Sequence, residues 1–507
     1  MTKRRSRVTA ALFALIVLLG TSTSYARIDG SPVAARKGLA RFYEQALSWG
    51  ACQPFAIDAK SKSLYEREGI QCARLQVPMD YERPDGGTIT VGLLRRPAAE
   101  PGRRVGSLVV NPGGPGGSGM AHVANMQPNN PVGKRFDVVG FDPRGVGASL
   151  PRVQCLTDPE RDAQRLRPKG ESASQTEQEN KYFVDRCAER SGLDLLKNVG
   201  TRDVARDVDV LRAALGEKKL TYLGYSYGTR IGTMYAEMYP KNVRAMVLDG
   251  AVDVDGDKVD AAARQAQGFD QAFQRFAGWC AQRDCPIGKD SNAAESKFRQ
   301  MIEPLKKTPL QVGERKLSHS DANTAIIQAM YSDRLWETAL KGLQELKQNK
   351  GSTLLQLADQ YLGRAQDGSY SRIQDAFVAI RCVDEPPVKD RAELESNRRR
   401  LLEILGNDTV PTDETALGPC AFWPAPHTSE PHPPKVQGLP QVLVISTTGD
   451  PATPYQSGVD LAQALGARLL TFNGNQHTAF LAGVGCVDNV GTNYLADLRL
   501  PETDSAC

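Results

Sequence analysis

The chain has 507 residues, a formal net charge of +4 and ten cysteines. The whole positive excess lies in residues 1–26, which carry four basic residues and no acid, so the remaining chain is formally neutral. This balance does not favour a nucleic-acid partner or binding to an anionic membrane. The length allows two or more domains, or one large α/β enzyme with insertions.

Residues 1–26 have the layout of a signal peptide. A basic stretch at 1–7 precedes an apolar run at 10–20, and Ser24, Tyr25 and Ala26 form a small-residue cleavage site. The apolar run is short for a membrane span, and no cysteine follows the cut to carry a lipid. We therefore expect a secreted or periplasmic protein with no stable membrane anchor after cleavage, an uncleaved anchor being the alternative.

The ten cysteines all lie outside this segment. An even number in an exported chain indicates disulfide bonds, and no C-x-x-C motif or cysteine–histidine cluster suggests a metal site. No metal ion or cofactor is expected. Sequence does not determine the connectivity, but the simplest set pairs neighbours: Cys52–Cys72, Cys155–Cys187, Cys280–Cys285, Cys382–Cys420 and Cys486–Cys507.

The first half of the chain alternates apolar runs with amphipathic segments. Residues 27–70 look mostly helical, 150–195 read as a polar surface segment, and 201–215 as a helix with Thr201 as N-cap. This alternation predicts a parallel sheet with helices on both faces. The predicted strands are 73–78, 88–94, 107–111, 136–141, 220–224 and 244–249.

After residue 253 the pattern changes to helices, for example at 261–280 and 324–346, and then to a proline-rich passage at 419–440. Sheet-type sequence returns at 441–446 and 468–472. A helical block between two strands of one sheet predicts a cap. The expected organisation is a signal peptide at 1–26, a first part of the core at 27–253, a helical cap at 254–437 and the last part of the core at 438–507.

A serine between two glycines is the strongest chemical signal. The segment Gly224-Tyr225-Ser226-Tyr227-Gly228 follows an apolar run and precedes a helical pattern, which is the context of a nucleophile elbow. The serine must occupy a tight, strained turn, and side chains in place of the glycines would collide with the neighbouring strand and helix. The motif alone also occurs in ordinary turns, so its context decides. We predict that Ser226 is a nucleophile.

A serine nucleophile needs a base, and the chain contains five histidines. In hydrolases with such an elbow the histidine comes last in the chain, beyond the final strands. His477 fits, because it follows the predicted strand at 468–472 in a polar loop. His122 is the competitor, since it lies close to a glycine-rich run. His319 falls in the predicted cap, and His427 and His432 fall in the proline-rich passage.

The orienting acid should end a strand between the serine and the histidine, and Asp249 and Asp450 both qualify. Asp450 lies in a Thr-Thr-Gly-Asp-Pro-Ala-Thr-Pro segment suited to a sharp turn that projects a carboxylate. Asp249 reads as a turn or cap carboxylate. We predict Asp450 as the acid.

Two N–H groups should stabilise the oxyanion, one of them from Tyr227, which follows the nucleophile. The run Asn111-Pro-Gly-Gly-Pro-Gly-Gly-Ser-Gly119 supplies the second at Gly113–Gly114, because glycine lets the backbone approach a substrate. The alternative is a phosphate-binding loop, but the run lacks the G-K-[ST] of a P-loop.

These motifs, with Asp142-Pro-Arg-Gly-Val-Gly147 and Gln476-His477, resemble the secreted tripeptidyl-aminopeptidase branch of the proline iminopeptidase-like serine peptidases. The resemblance covers nearly all of the mature chain. It implies an α/β-hydrolase fold with a helical cap, a triad of Ser226, Asp450 and His477, and Gly114 and Tyr227 as oxyanion donors. Pro112 replaces a histidine of the relatives, which changes the edge of the loop but not the donors.

An aminopeptidase must also bind a free α-amine, and an ammonium is costly to desolvate unless it is paired. Asp384 and Glu385, close to Cys382, resemble an acidic cap motif of that family. The alternative is an exposed acidic turn.

The sequence thus predicts an exported serine exopeptidase that releases short peptides or single residues from free N-termini. A carboxylesterase with the same triad is the main alternative, and a non-catalytic hydrolase-fold binding protein is a further one. Ser226 disfavours a haloalkane dehalogenase, which uses aspartate at the elbow. The expected partner is a peptide or small ester substrate, and the oligomeric state stays open.

Overall fold

The computed structural model describes residues 38–167, 172–253, 256–406, 416–503 and 505–507. The predicted signal peptide, residues 1–26, lies outside the described residues. Within the described ranges, none of the helices combines the length and the apolar character needed to cross a bilayer.

A central sheet of nine strands forms the core of the described chain, in the order β1-β2-β4-β3-β5-β6-β9-β10-β11. Strand β2 runs antiparallel to both of its neighbours, β1 and β4, and the other neighbouring strands are parallel. A separate hairpin holds β7 and β8. The strands are β1 Gln71–Pro78, β2 Thr88–Arg96, β3 Gly106–Asn111, β4 Phe136–Asp142, β5 Leu220–Tyr225, β6 Val243–Asp249, β7 Leu310–Val312, β8 Arg315–Leu317, β9 Leu443–Thr447, β10 Arg468–Phe472 and β11 Ser505–Ala506.

The sheet is buried on both faces, as its apolar strands require. In β3, Val109 packs into one hydrophobic cluster with Tyr222, while Leu108 and Val110 pack into the cluster on the other face with Leu223. Every predicted strand is found, with ends that differ by no more than about two residues. The predicted α/β fold with a mostly parallel sheet is confirmed.

Helices cover the sheet in the first half of the chain: α1 Ala40–Tyr43, α2 Ala59–Tyr65, α3 Gly119–Asn125, α4 Asp158–Leu166, α5 Ala173–Ser191, α6 Leu193–Lys197, α7 Thr201–Ala214 and α8 Tyr227–Met238. The prediction of a mostly helical N-terminal segment is wrong for residues 38–70. The chain there pairs Gly50 with Cys72 of β1 and is tied to it by the Cys52–Cys72 disulfide, so most of it is non-helical.

Helix α7 begins as predicted, but Gly200 and not Thr201 is its N-cap residue. The Thr201 side chain instead bonds to Asp384, which belongs to the segment between β6 and β9. The polar segment at 150–195 contains α4, α5 and α6 and also contacts this later segment, because Arg165 of α4 binds Asp321 and Asp359.

The segment between β6 and β9 is mainly helical: α9 Lys258–Ala281, α10 Ala294–Ile302, α11 His319–Met330, α12 Trp336–Lys347, α13 Ser352–Leu362, α14 Ile373–Asp384 and α15 Arg391–Leu405. It has its own hydrophobic cluster, in which Phe276, Trp336 and Leu343 take part. We call the described residues within the range 254–437 the cap. The domain boundaries at 253/254 and 437/438 stay predictions. The last two helices of the described chain are α16 Tyr455–Leu465 and α17 Gly485–Asp497, which belong to the core.

The prediction of one helix over 324–346 is wrong. Helix α11 ends at Met330, and a 3₁₀ turn at Asp333–Leu335 separates it from α12. The Ser332 hydroxyl accepts a hydrogen bond from the N–H of Arg334 at the start of this turn. The carbonyl oxygen of Tyr331 bonds to the N–H of His477, a contact that no local sequence pattern reveals.

The ten cysteines form five disulfide bonds, between the same neighbours that the simplest pairing proposed. Two of them lie beside the predicted site segments: Cys382–Cys420 closes the end of α14, and Cys486–Cys507 ties α17 to the end of the chain.

Candidate active site

Ser226 stands on the sharp turn between β5 and α8. Its backbone has φ 54° and ψ −126°, a conformation that is unfavourable for a residue with a side chain. The turn is held because the N–H of Ser226 donates to the carbonyl oxygen of Asp249 at 2.9 Å, while the carbonyl of Ser226 accepts from the hydroxyl of Thr229 at 2.6 Å.

The two glycines of the elbow are required by close packing. A Cβ atom on Gly224 would lie 2.4 Å from the carbonyl oxygen of Gly228, and one on Gly228 would lie 2.7 Å from that of Asn111. Both distances are well below van der Waals contact, so a larger residue at 224 would force β5 away from α8, and one at 228 would force α8 away from β3. The strand, turn and helix therefore have the geometry of a nucleophile elbow.

Asp450 and His477 are brought together from the loops after β9 and β10. His477 Nδ1 lies 2.9 Å from Oδ2 and 3.0 Å from Oδ1 of Asp450. The same carboxylate accepts hydrogen bonds from the N–H groups of Ala452 and Thr453 and from the Thr453 hydroxyl. Asp450 is buried, and these donors compensate for its loss of water.

The hydrogen bond to Asp450 determines the tautomer of His477. An ionised carboxylate only accepts hydrogen bonds, so Nδ1 carries the hydrogen and Nε2 is left to accept a proton. Burial lowers the pKa of His477, but the charge and hydrogen bond of Asp450 outweigh this effect, and the pKa ends above its usual value. The histidine side chain keeps 12% of its surface exposed.

The last residue of β6 and the residue after it lie between the serine and the histidine. Ser226 is bonded to the carbonyl of Asp249, and the next residue, Gly250, lies against the imidazole, since a Cβ there would be 3.3 Å from Cε1 of His477. Among the described residues no hydrogen bond joins the Ser226 hydroxyl directly to His477. This contact is commonly longer than a hydrogen bond in ligand-free serine enzymes.

The glycine-rich loop after β3 lies against the elbow. A Cβ on Gly113 would be 2.9 Å from Cβ of Ser226 and 3.0 Å from the amide nitrogen of Tyr227. The N–H of Gly113 is used by the Asn111 side chain, at 2.9 Å. In the described part of the chain, the N–H groups of Gly114 and Tyr227 have no hydrogen-bond partner, and both residues line one cavity.

Comparison with known proteins agrees with this geometry. A family model described as the alpha/beta hydrolase fold matches residues 106–484, more than half of the chain. The chain belongs to the α/β-hydrolase family.

Three curated relatives are similar over most of their length. Serine protease Hip1 of Mycobacterium tuberculosis is 45% identical, with 91% of each chain covered. Carboxylesterase B of the same organism is 40% identical over 99% of each chain. Tripeptidyl aminopeptidase of Streptomyces lividans is 31% identical, with 86% of this chain and 83% of the relative covered. The chain is therefore a serine hydrolase, and the predicted resemblance to serine peptidases of this fold is confirmed.

The competing candidates of this hydrolase lie elsewhere. His122, on α3, contacts the ring of Tyr225 at 5.4 Å between centroids, and burial lowers its pKa to about 4. Asp249 is buried behind the His477 loop, where it accepts the N–H groups of Ala479 and Phe480. Neither forms a hydrogen bond with Asp450 or His477 in the described chain, and the structure brings those two predicted residues together.

The cavity beside the elbow has a volume of about 380 Å³. Gly114, Tyr227 and Thr453 line it on the side of the elbow, and Arg230, Lys258 and Glu385 are among the charged residues of its wall. Its lining thus comes from both the core and the cap.

The predicted amine-binding pair divides into two different environments. Asp384 is fully buried, and its oxygens accept the N–H and the hydroxyl of Thr201, so they are already paired. Burial raises the pKa of Asp384, and the nearby Arg230 opposes this. Glu385 is 20% exposed, with Oε1 bound to Arg230 at 3.0 Å and Oε2 3.9 Å from Lys258 and Arg381. Oε2 forms no hydrogen bond in the described chain.

Two residues at the site were missed by the sequence reasoning. The Thr453 hydroxyl lies 3.0 Å from Oδ2 of Asp450 and 3.1 Å from Nδ1 of His477, so it touches both members of the pair. Its position three residues after Asp450 could have revealed this contact, because an aspartate in a turn often forms hydrogen bonds with residues two or three positions further on. Tyr331 lies across the imidazole with a ring-centroid distance of 5.4 Å. Its separation of 146 residues from His477 gave no signal.

Proposed function

We propose that this hydrolase is an exported serine exopeptidase that releases short peptides or single residues from free N-termini. The observation that carries the proposal is the cavity between core and cap. Gly114, Tyr227 and Glu385 all line this space, and the N–H groups of the first two have no hydrogen-bond partner in the described chain. Such a space suits a substrate whose carbonyl group and N-terminal ammonium are both bound.

In the proposed reaction, His477 accepts the proton of Ser226 at Nε2 as the hydroxyl attacks a peptide carbonyl. Asp450 keeps the other nitrogen protonated and stabilises the imidazolium that forms. The imidazolium then protonates the leaving amine, so the C–N bond breaks and an acyl-enzyme remains. Water, deprotonated by His477, releases the acid and restores Ser226.

The oxyanion of each tetrahedral intermediate would be held by the N–H groups of Gly114 and Tyr227. Tyr227 is the first residue of α8, so its N–H also carries the positive end of the helix dipole. Loss of one donor of this kind typically costs about 3 kcal/mol of transition-state stabilisation.

Glu385 is our proposed ligand for the α-ammonium. Glu385 lines the cavity and its Oε2 forms no hydrogen bond in the described chain, whereas Arg230 binds Oε1 and so orients the carboxylate. Asp384 supports this arrangement from behind by binding Thr201 at the start of α7. We propose that the cap, at 254–437, is a separate domain that places Asp384 and Glu385 beside the cavity.

The names of two relatives support a peptidase, since Hip1 is called a serine protease and the Streptomyces lividans relative a tripeptidyl aminopeptidase. Export is supported by the signal-like residues 1–26 and by five disulfide bonds, which persist in oxidising compartments. Expression of the full chain should yield an exported protein whose first residue is Arg27.

A carboxylesterase is the second candidate, because the relative at 40% identity is named carboxylesterase B and aligns over 99% of both chains. The proposed triad would cleave an ester more easily than an amide. The two functions differ in whether a free amine is needed.

Four chromogenic substrates separate them: a tripeptide anilide with a free N-terminus, its N-acetylated twin, a proline anilide and a short-chain acyl ester. Each is assayed with the mature protein, with Ser226→Ala and with Glu385→Gln. Glu430→Gln is the matched control, because Glu430 also lines the cavity but pairs with His427 at the exposed mouth.

We expect cleavage of the free tripeptide but not of its acetylated twin, and loss of all activity in Ser226→Ala. Glu385→Gln should lower kcat/KM for the free peptide about 10- to 100-fold, the value of a hydrogen bond between charged groups, and leave ester cleavage unchanged. Turnover of the ester alone would assign the protein to the esterases. Equal cleavage of both tripeptides would remove Glu385 from the proposal.

A further inference from the structure

Asp249 lies at the junction of the elbow and the histidine loop. It is the last residue of β6, pairs with Tyr225 of β5 on one side and with Ile445 of β9 on the other, and has no exposed surface. The sequence offered it as an alternative acid. In the structure Asp249 instead contacts the elbow and the loop after His477, and it has no role in the proposed reaction.

Two different loops depend on this residue. Its carbonyl oxygen accepts the N–H of Ser226 at 2.9 Å. Its carboxylate oxygen Oδ2 accepts the N–H groups of Ala479 at 2.8 Å and Phe480 at 2.7 Å, two and three residues beyond His477. Asp249 thereby fixes the distance between the residue before the elbow helix and the chain after the histidine.

The histidine loop needs such an anchor because its backbone is strained. Thr478 and Leu481 have φ angles of 64° and 61°, which side chains disfavour, and they flank the two residues that Asp249 binds. Strained residues persist only where their surroundings hold them in place.

We propose that Asp249 is a positioning residue for the Ser226–His477 pair, and that its charge influences the pH range in which His477 acts as a base. The inference rests on the proposed roles of Ser226 and His477. It does not depend on whether the substrate is a peptide or an ester.

The environment of the second carboxylate oxygen determines how easily Asp249 loses its proton. Oδ1 is buried and has no hydrogen-bond partner among the described residues. An ionised oxygen without a partner is costly in the interior, so the site favours a protonated acid.

Burial raises the pKa of Asp249 to about 7, the N–H groups of Phe480 and Ala479 oppose this, and the charge of Asp450 adds to it. The positive form of His477 lowers the pKa. A further titratable neighbour is Tyr225 of β5, whose own pKa is raised by burial and then by Asp249 and Asp488.

The charge of Asp249 determines the direction in which the pKa of His477 moves. Ionised Asp249 favours the imidazolium and so raises the pKa of His477. A base must be neutral, so activity on the acid side rises as His477 loses its proton. Asp249→Asn imitates the protonated acid and still accepts the two N–H groups, so the acid limb should move to lower pH.

The test measures kcat/KM for a short-chain acyl ester from pH 5 to 9, a readout that both candidate functions share. Asp249→Asn should shift the acid limb by at least about half a pH unit, with kcat at the plateau lowered several-fold. Asp488→Asn is the matched control, because Asp488 also accepts a loop N–H, that of Leu481, but should leave the limb in place. An unchanged limb in Asp249→Asn would overturn the inference.

A second measurement needs no change at Asp249. In Ser226→Ala, the NMR shift of the His477 ring proton should follow two inflections, one from the imidazole and one from Asp249, and a single inflection would contradict the proposal. Retention of ester cleavage by Ser226→Ala would instead overturn the proposed function, so the two failures are distinct.

Discussion

The main-chain N–H of His477 donates a 2.8 Å hydrogen bond to the carbonyl oxygen of Tyr331, which lies in the cap. The next residues continue the contact, because Ser332 forms a β-bridge with Gln476. Helix α9 of the cap also reaches the acid loop, where Arg275 donates to the carbonyl of Gly449 at 2.9 Å. The cap is therefore bonded to both loops that carry the proposed acid and base.

The ring of Tyr331 restrains the imidazole, so its removal should slow the chemistry. We expect Tyr331→Ala to lower kcat about 3- to 10-fold, the value of an aromatic pair of about 0.5–1.5 kcal/mol. Tyr331→Phe keeps the ring and should stay close to the wild type. The comparison uses ester cleavage at the pH of maximum rate, and equal effects of the two changes would show that the ring contact is unimportant.

Thr453 supports the pair from the acid loop. Thr453→Val keeps the shape and the backbone N–H bond to Asp450 but removes the hydroxyl that contacts Asp450 and His477. We expect kcat/KM to fall about 10-fold or more, because a hydrogen bond to a charged group contributes roughly 1.5–3 kcal/mol. Thr453→Ser restores the hydroxyl and should recover most of the rate. A serine variant as slow as the valine variant would argue against a role for the hydroxyl.

The acid limb of the pH profile should depend on Asp450. This carboxylate raises the pKa of His477 despite burial, so the wild-type limb should lie above the ordinary imidazole value of about 6.5. In Asp450→Asn the amide oxygen takes the place of Oδ1, which accepts two N–H groups, and the amide NH₂ faces His477. The hydrogen then moves to Nε2, and kcat should fall about 10⁴-fold, with the residual limb at lower pH. A loss of less than 10-fold would contradict the assignment of Asp450.

The disulfide at the end of α14 should contribute to stability and to the cavity. Cys382–Cys420 closes a separation of 38 residues, for which chain entropy predicts about 4 kcal/mol, against about 2 kcal/mol for the 5 residues between Cys280 and Cys285. The double serine variant at 382 and 420 should thus lower the free energy of unfolding more than that at 280 and 285. It should also raise KM, because Asp384 and Glu385 lie two and three residues after Cys382. Equal losses in urea unfolding would refute the ranking.

Local patterns were sufficient for the sheet and for the elbow. Apolar runs such as 107–111 are buried in the sheet, as their composition predicts. The glycines around Ser226 were recognisable from the motif, although the atoms that require glycine at 228 belong to Asn111 of β3. The order of the last strands also predicted the Asp450–His477 pair.

Local patterns could not predict the contacts between segments that are distant in sequence. The break after Met330 follows from hydrogen bonds to the His477 loop, and the pairing of Asp384 with Thr201 joins residues 183 positions apart. Local propensity would place residue 331 inside a helix and the Asp384 carboxylate in solvent. In each case a residue that is remote in sequence forms a hydrogen bond with the group instead. The non-helical course of residues 38–70 has the same origin, since β1 and a disulfide hold it.

The contact between Tyr331 and His477 has a consequence for how this hydrolase can change. A cap that only covered a finished catalytic centre could be exchanged, shortened or redesigned without loss of rate. Here the turn at 331–335 belongs to the cap and also holds the backbone of His477. A change of this turn that alters the substrate preference would therefore also move the histidine. Chimeras that import a foreign cap should regain turnover only when the imported segment brings its own carbonyl acceptor for His477.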